Sequence, residues 1–600
     1  MKSLLSIILT VVVLTVSGQK SPEQDAIFEK IVKEYTLNKD GSIDFHYYKK
    51  LKLLTHFSFN RLYGETFIVF NPDHQQLKIN VSRTVQEGGK VIETPANAFN
   101  EVLPRAAANA PYYNGLREMV VTHTGLEVNA IIELDYTLHS DAGYLPALMG
   151  NDVISESSPI RKEVVIINIP AGKKLNYRVF NVRTSPQINE KDGMKIYTFT
   201  FSGIPERSHE SFQPAFSGNL PRLTFSTENM ETVYRYLTKQ DAFSYKTDKS
   251  MDDAVAEIKK DAKSDLMTAL KIQEMVVNDV NYYHLDQQYS GWKIRNPVDV
   301  RNSNGGTQFE KAVLMAALLR KAGINAVPVI TFPSKFYDES VGCLNLITEY
   351  LVQVNPRETG QLYLSPTGIS SQNLIYKSAA YTVIALNPDK PLRVEKIGVQ
   401  ENILSLTGSI TFDDSLKMTG NAELLLTNRI NPYFELVKDS AYAKRLVSGK
   451  VSSFELKNLS QSRTTATYKF EDENPLKSNA GYYTFKLPEC DKGTGSWRLH
   501  YLLSKRETPL EIPFTIDESY GFTVTLPEGA TLLNPVKKTE MKDSFGEMMI
   551  EISQTGSKVT VKRSVKVTEK TIQPAFYKKF KEMMDLWNER KFKVLTIKKL

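Results

Sequence analysis

Residues 305–329 read GGTQFEKAVLMAALLRKAGINAVPV, and the way this stretch folds decides the architecture of the chain. From about Thr307 to Ala322 the spacing predicts a helix, with Val313, Leu314, Ala316, Ala317, Leu318 and Leu319 making it apolar almost all round. A helix of that kind is buried. Thr307 stands where a helix cap is expected, and the Ala322-Gly323-Ile324 turn leads into an apolar strand through Val327 and Val329.

Working outward, residues 251–369 mix helices with apolar strands. Leu266, Ala269, Leu270, Val276 and Val277 recur at helical spacing behind a capping Ser264. Upstream, a short helical lead is expected around Gln24 to Tyr35, followed to about residue 240 by strand-like segments between Gly, Pro and Asn turns. In Val128 to Leu138 the residues Val128, Ala130, Ile132, Leu134, Tyr136 and Leu138 share one face, the two-residue period of a half-buried strand. Thr66 to Phe70, Glu163 to Ile169 and Lys195 to Phe201 read the same way, so a large antiparallel β-sandwich is expected. The alternation returns after residue 380, in Phe522 to Leu526 and in Val559, Val561, Val565 and Val567. The chain closes with a helix opened by Pro574. Its stripe of Phe576, Phe580, Met583 and Trp587 is expected to dock on the second sandwich.

The phrase Gly306-Thr307-Gln308-Phe309-Glu310-Lys311-Ala312, with Leu318-Leu319-Arg320 and the Ala-Gly-Ile turn, resembles the nucleophile helix of the transglutaminase-like superfamily. There a Gly-x-Cys-x-x-Lys-Ala phrase opens a buried helix whose N-terminus lowers the thiol pKa. Here Gln308 holds the cysteine slot, and an amide cannot be the nucleophile. Matching Thr348-Glu349-Tyr350-Leu351 and Leu364-Ser365-Pro366-Thr367 to the family's later strands puts Glu349 at the histidine slot and Ser365 at the aspartate slot. The eight histidines are residues 46, 56, 74, 123, 139, 209, 284 and 500, so none lies between the helix and residue 499. A cysteine–histidine mechanism needs an imidazole beside the thiol. With the core taken from the resemblance and the rest from the residues, the expected chain is multidomain, β-rich α+β: a signal peptide (1–18), an N-terminal β-sandwich (19–245), a papain-like or transglutaminase-like core (250–375), and a C-terminal β-sandwich with a terminal helix (380–600). It is similar to an exported bacterial subgroup with uncharacterised β-rich flanks. Glu349 and Ser365 facing Gln308 would make a polar cluster under the vacated cleft.

Tyr283, His284 and Trp292 lie in an aromatic stretch that the resemblance carries toward the cleft lip, where ring faces stack sugars or peptide side chains. With Thr307 they are the candidate ligand-binding residues. No phosphate loop, His-Glu-x-x-His helix or metal-ligand cluster occurs in the sequence, so no cofactor or metal is expected. Three functions are open: an inactive, pseudoenzyme form binding glycan or peptide or acting as a scaffold; a hydrolase or acyltransferase with relocated catalytic residues; and a purely structural envelope component with protein partners.

Lys2, the apolar run Leu4 to Val16, and the small Ser17 and Gly18 read as a secretory signal cleaved after Gly18. That run is shorter than the roughly 20 residues a transmembrane helix needs, and no later stretch is suited to cross a bilayer. No cysteine lies near the cleavage site to carry a lipid, so a soluble periplasmic or extracellular protein is expected. Cys343 and Cys490 are either one disulfide or two buried thiols. The charge of +7, from 75 basic and 68 acidic residues without long runs, does not indicate nucleic-acid binding.

Overall fold

The computed structural model describes residues 24–377, 380–479 and 481–598, so the expected leader, residues 1–18, lies outside the described residues. The chain first builds an eight-stranded sheet from β1 (Ala26–Leu37), β2 (Ile43–Leu53), β3 (Gln75–Val85), β4 (Val91–Glu93), β5 (Ile131–Ser140), β6 (Ile160–Pro170), β7 (Gln187–Lys191) and β8 (Met194–Ile204). Their order is β7-β8-β6-β1-β2-β5-β3-β4. Two three-stranded sheets accompany it. One of them brings Leu223 and Phe225 against Phe28, Ile31, Val165 and Phe199 in a shared core.

Two expectations are corrected here. The segment around Gln24 to Tyr35 is not helical but forms the central strand β1, and a bulge between Phe28 and Lys30 explains the misreading. The extra residue at the bulge shifts the inward face from Ala26 and Phe28 to Ile31, so the apolar spacing turns from two to three and imitates a helix. Nor is the sheet wholly antiparallel: β1 pairs in parallel with β6, from Phe28 opposite Ile160 to Thr36 opposite Asn168.

The core follows. Helices α1 (Lys249–Asp261), α2 (Asp265–Asp279) and α3 (Gln308–Lys321) accompany a five-stranded antiparallel sheet of β9 (Asn325–Pro333), β10 (Glu349–Asn355), β11 (Leu362–Leu364), β12 (Tyr381–Ala385) and β13 (Val394–Lys396), ordered β11-β10-β9-β12-β13. Ser264 Oγ accepts from the Met267 amide at 3.1 Å and caps α2. Every residue of α3 from Phe309 to Leu319 is buried. Leu314 and Leu318 pack with Ala326, Val352 and Val354, while Phe309 and Val313 pack with Ile330 and Phe332.

The last region repeats the plan of the first. Strands β14 (Ile403–Phe412), β15 (Met418–Thr427), β16 (Val451–Leu459), β17 (Arg463–Asp472), β18 (Ile516–Thr525), β19 (Val536–Asp543), β20 (Gly546–Thr555) and β21 (Lys558–Val567) form a sheet ordered β16-β17-β15-β14-β18-β21-β20-β19. Again the first strand sits inside the sheet, with an antiparallel hairpin partner on one side and a parallel partner, β18, on the other. Helix α4 (Pro574–Asn588) buries Tyr577, Phe580, Met583, Met584 and Trp587. Phe576 is turned out, 39% exposed, so Tyr577 takes the place expected of it. Cys343 and Cys490 are both buried and unbonded. Among the described residues no helix is long and apolar enough to cross a membrane.

Candidate functional site

The start of α3 is fixed by charge as well as by packing. Thr307 Oγ1 accepts from the Glu310 amide at 3.3 Å, and the Glu310 carboxylate returns the contact to the Thr307 amide at 2.9 Å, a capping box. The same carboxylate, fully buried, accepts from Arg295 Nε and Nη2 at 2.8 Å each and from the Tyr113 hydroxyl at 2.8 Å. Tyr113 belongs to the N-terminal region, so one buried carboxylate ties that region to the first turn of α3. Lys311, the lysine of the motif, is equally occupied: its ammonium donates to the Val280 carbonyl just past the end of α2, and burial pushes its pKa down to about 8.

Gln308, at the first position of α3 and half-buried, opens onto a cavity of about 640 Å³ between the N-terminal sheet and the core. Tyr35, Phe45, Leu138 and Met149 form one wall; Tyr282, Tyr289, Trp292, Phe309 and Tyr350 form the other. Phe309 stacks on Tyr350 with ring centroids 4.5 Å apart. Among the described residues, neither the Trp292 indole N–H nor the Tyr350 hydroxyl, both buried, has a hydrogen-bond partner. Burial holds the Tyr350 phenol well above its usual range. Polar side chains, among them Gln75, Asn151, Asp152, Asp286 and Gln308, line the cavity between the rings, and a concave site where polar groups converge beside aromatic faces is where small ligands and peptide side chains are held.

The expected cluster of Gln308, Glu349 and Ser365 does not assemble. Strand alternation is the reason. Glu349 lies opposite Thr331, on the sheet face whose core is Val329, Leu351, Tyr363 and Val383, turned away from α3. It pairs instead with Lys377 at 3.8 Å. The residue of β10 that meets the start of α3 is the next one, Tyr350. Ser365 follows the end of β11; its hydroxyl accepts from the Thr367 amide at 3.2 Å and its carbonyl from Gln273 Nε2 at 3.0 Å.

Of the candidate ligand-binding residues, Trp292 lines the cavity, whereas Thr307, Tyr283 and His284 are not among its lining residues. The Thr307 hydroxyl is consumed by the capping box and 1% exposed. Tyr283 is wedged against Gly305, where a Cβ would meet its hydroxyl at 2.2 Å, and sits edge-on to Tyr113. His284 is exposed and rests on the Tyr282 ring, 3.9 Å between centroids. Tyr282 and Tyr289, from the same aromatic stretch, also line it, while Tyr350 and the whole N-terminal wall are lining residues that the sequence did not single out. Cys343 is no substitute nucleophile: its thiol donates to the Gly150 carbonyl at 3.2 Å, and burial pushes its pKa up to about 12. Among the described residues no group of three or more His, Cys, Asp or Glu is arranged to hold a metal ion.

A buried helix whose N-terminus looks past an antiparallel sheet into a cleft defines a transglutaminase-like core, here set between two β-domains. Residues 252–346 match the transglutaminase-like superfamily, and the flanks match two domains of unknown function with solved structures, DUF3857 over residues 39–208 and DUF3858 over residues 481–597. The crystal structure of a candidate protease from Parabacteroides distasonis is 26% identical and superposes with a TM-score of 0.71, covering 96% of this chain and 99% of its own. A candidate cysteine protease from Cytophaga hutchinsonii is 11% identical with a TM-score of 0.18, over 41% of this chain and 88% of its own. An M1 zinc metallopeptidase from Deinococcus radiodurans is 11% identical with a TM-score of 0.19, over 34% of this chain and 43% of its own. No curated protein matches the chain.

Proposed function

We propose that this chain is an exported pseudoenzyme of the transglutaminase-like superfamily that binds a peptide or glycan of the cell envelope in the cavity at the head of α3. The observation that carries the proposal is Gln308, standing at the nucleophile position on the wall of a formed cavity among whose lining residues there is neither a cysteine nor a histidine. Acyl transfer through a thiol requires both. Stacking rings and two unpaired hydroxyl and indole donors remain, which are binding groups.

The name of the Parabacteroides relative points to the second reading, a hydrolase with relocated residues. Its carriers would be Asp152 and Asp286, the carboxylates on the cavity wall. Asp152 is already engaged, accepting from the Tyr35 hydroxyl at 3.0 Å with Lys33 at 3.9 Å, which favours binding over catalysis.

Thermal-shift titration with muropeptide-like peptides and oligosaccharides tests both readings, since a ligand selective for the native state raises Tm by mass action. The unsubstituted chain is expected to respond to one of these classes without turning it over. Gln308→Trp, which fills the cavity mouth, is expected to abolish the response. Gln308→Cys is expected to restore no thiol activity, because no imidazole faces it. Turnover of a hit that disappears in Gln308→Ala, with Tm unchanged, would sink the pseudoenzyme reading.

A further inference from the structure

The cavity at the head of α3 is charged on one side of the balance only. Seven aromatic side chains line it together with two carboxylates, Asp152 and Asp286, while no lysine, arginine or histidine is among the described lining residues. Asp286 caps the short turn Gln287–Ser290: its Oδ1 accepts from the Gln288 amide at 3.1 Å and its Oδ2 from Gln288 Nε2 at 3.2 Å. Among the described residues no cation pairs with it. Solvent reaches this side chain, yet burial of the carboxyl against the cavity wall raises its pKa above the usual aspartate range, as expected of a charge facing protein without a counter-charge. Asp152, on the N-terminal wall, is only partly compensated. Lys33 stands 3.9 Å from it but 2.9 Å from Glu163, so one ammonium serves two carboxylates. Arg222, behind Asn151, donates to the Asn151 side chain and the Phe216 carbonyl and rests on the Phe336 ring. The positive end of α3, which reaches the cavity at Gln308, is met by the Glu310 carboxylate at the Thr307 amide. A positive charge is thus what the cavity lacks, and a cation between aromatic faces and carboxylates is attracted by both.

The walls also say what body carries that charge. β1, β2, β5 and β10, the strands behind Tyr35, Phe45, Leu138 and Tyr350, are all interior to their sheets. These walls therefore offer side-chain faces and not the open strand edge to which a peptide backbone adds. The Met149–Val153 strand does lie at a sheet edge, but it is already bonded to the turn beside it: Cys343 Sγ donates to the Gly150 carbonyl at 3.2 Å, and Asn151 Nδ2 to the Asn345 carbonyl at 3.0 Å. Rings remain to stack on the flat faces of sugars. The Gln308 carboxamide and the Tyr350 hydroxyl, both without partners among the described residues, remain to meet sugar hydroxyls.

On the reading of the cavity as a ligand site, we infer that it selects a cationic glycan, one whose amino sugars carry free, protonated amines, and that Asp286 sets this preference. The test is calorimetric titration of residues 19–600 with a glucosamine oligosaccharide, with its fully N-acetylated counterpart and with a lysine-bearing peptide, at about pH 6, where amines are protonated and ordinary carboxylates ionised. The glucosamine oligomer is expected to bind at least tenfold tighter than the N-acetylated one, with the gap narrowing as salt is added. Asp286→Asn, which keeps an oxygen for the Gln288 amide and so keeps the turn, is expected to erase the gap with Tm unaltered. Equal binding of the two oligomers, abolished by Gln308→Trp, would keep the cavity as a ligand site and overturn the inference. So would a preference that survives Asp286→Asn, or tighter binding of the peptide than of the glucosamine oligomer, which would assign the charge to a peptide. Binding of none of the three would overturn it together with the reading on which it rests.

Discussion

Glu310 shows how much one side chain in this protein carries. Its carboxylate is fully buried and shared between Arg295, the Thr307 amide and the Tyr113 hydroxyl. Removing one partner of a buried ion pair leaves the other uncompensated, so Glu310→Ala is expected to cost about 3–5 kcal/mol in urea unfolding. Tyr113→Phe, which takes away one bond to a charged acceptor, is expected to cost about 1.5–3 kcal/mol. A double-mutant cycle should find the two strongly coupled; additive losses would mean that Tyr113 does not read the state of Glu310. A second buried group sets the acid limit. His123 is buried against Thr66, 3.2 Å from its hydroxyl, with the Lys49 ammonium on the same hydroxyl at 2.7 Å. Burial, and then the Lys49 charge, push the imidazole pKa down to about 3. The unfolded chain takes up a proton near pH 6.5 that the folded chain refuses, so this stability is present above about pH 6.5 and is lost as pH falls toward 3. Urea midpoints measured across that window should fall with acid, and His123→Gln should flatten the slope. At this scale the sequence placed Gln308 and its cap, because a capped, wholly apolar helix is hard to mistake. It did not place Tyr350: Leu351, Val352 and Val354 are buried on both faces of β10, and a strand apolar on both sides does not say which side meets the helix.

The elements divide the same way. α4 was legible as an amphipathic helix, but its stripe was displaced by one residue at the start. Phe576 and Tyr577 are both aromatic at the first turn, and only the docked sheet selects between them. Trp587 is buried with its indole N–H donating to Thr494 Oγ1 at 2.9 Å and its ring 4.5 Å from the Arg563 guanidinium. Trp587→Ala is therefore expected to cost about 3–5 kcal/mol, whereas Phe576→Ala should lie within about 0.5 kcal/mol of no effect. Equal losses in the two variants would place the helix on its other face. β1 was misread because a bulge changes the apolar period inside the strand, and a period is all that a single sequence offers.

For the whole molecule, a β-rich chain of several sheets around a transglutaminase-like core was legible from alternation and motif, while the contacts between its parts were not. The cavity joins Tyr35, Leu138, Trp292 and Tyr350, residues that nothing in a linear reading brings together. The core also leans on its other neighbour, since Tyr433 and Phe434 pack into the cluster around Leu314 and Val352. The fragment from Asp252 to Gly368 thus loses covering on two sides and is expected to aggregate or to melt without cooperativity. A monomeric fragment with a sharp transition would show that the core is self-sufficient.

The parallel seams within the two flanking sheets bear on timing. β1 is made first, yet the strand that closes its second side, β6, is made ~130 residues later; at roughly 5–20 residues per second, that is on the order of ten seconds of synthesis. β14 waits similarly for β18. Through each interval an inner strand has an open edge able to pair with any passing chain. Such a protein gathers its sheets late and slowly, so its yield should depend more on how crowded its surroundings are while it emerges than on how stable it is once complete.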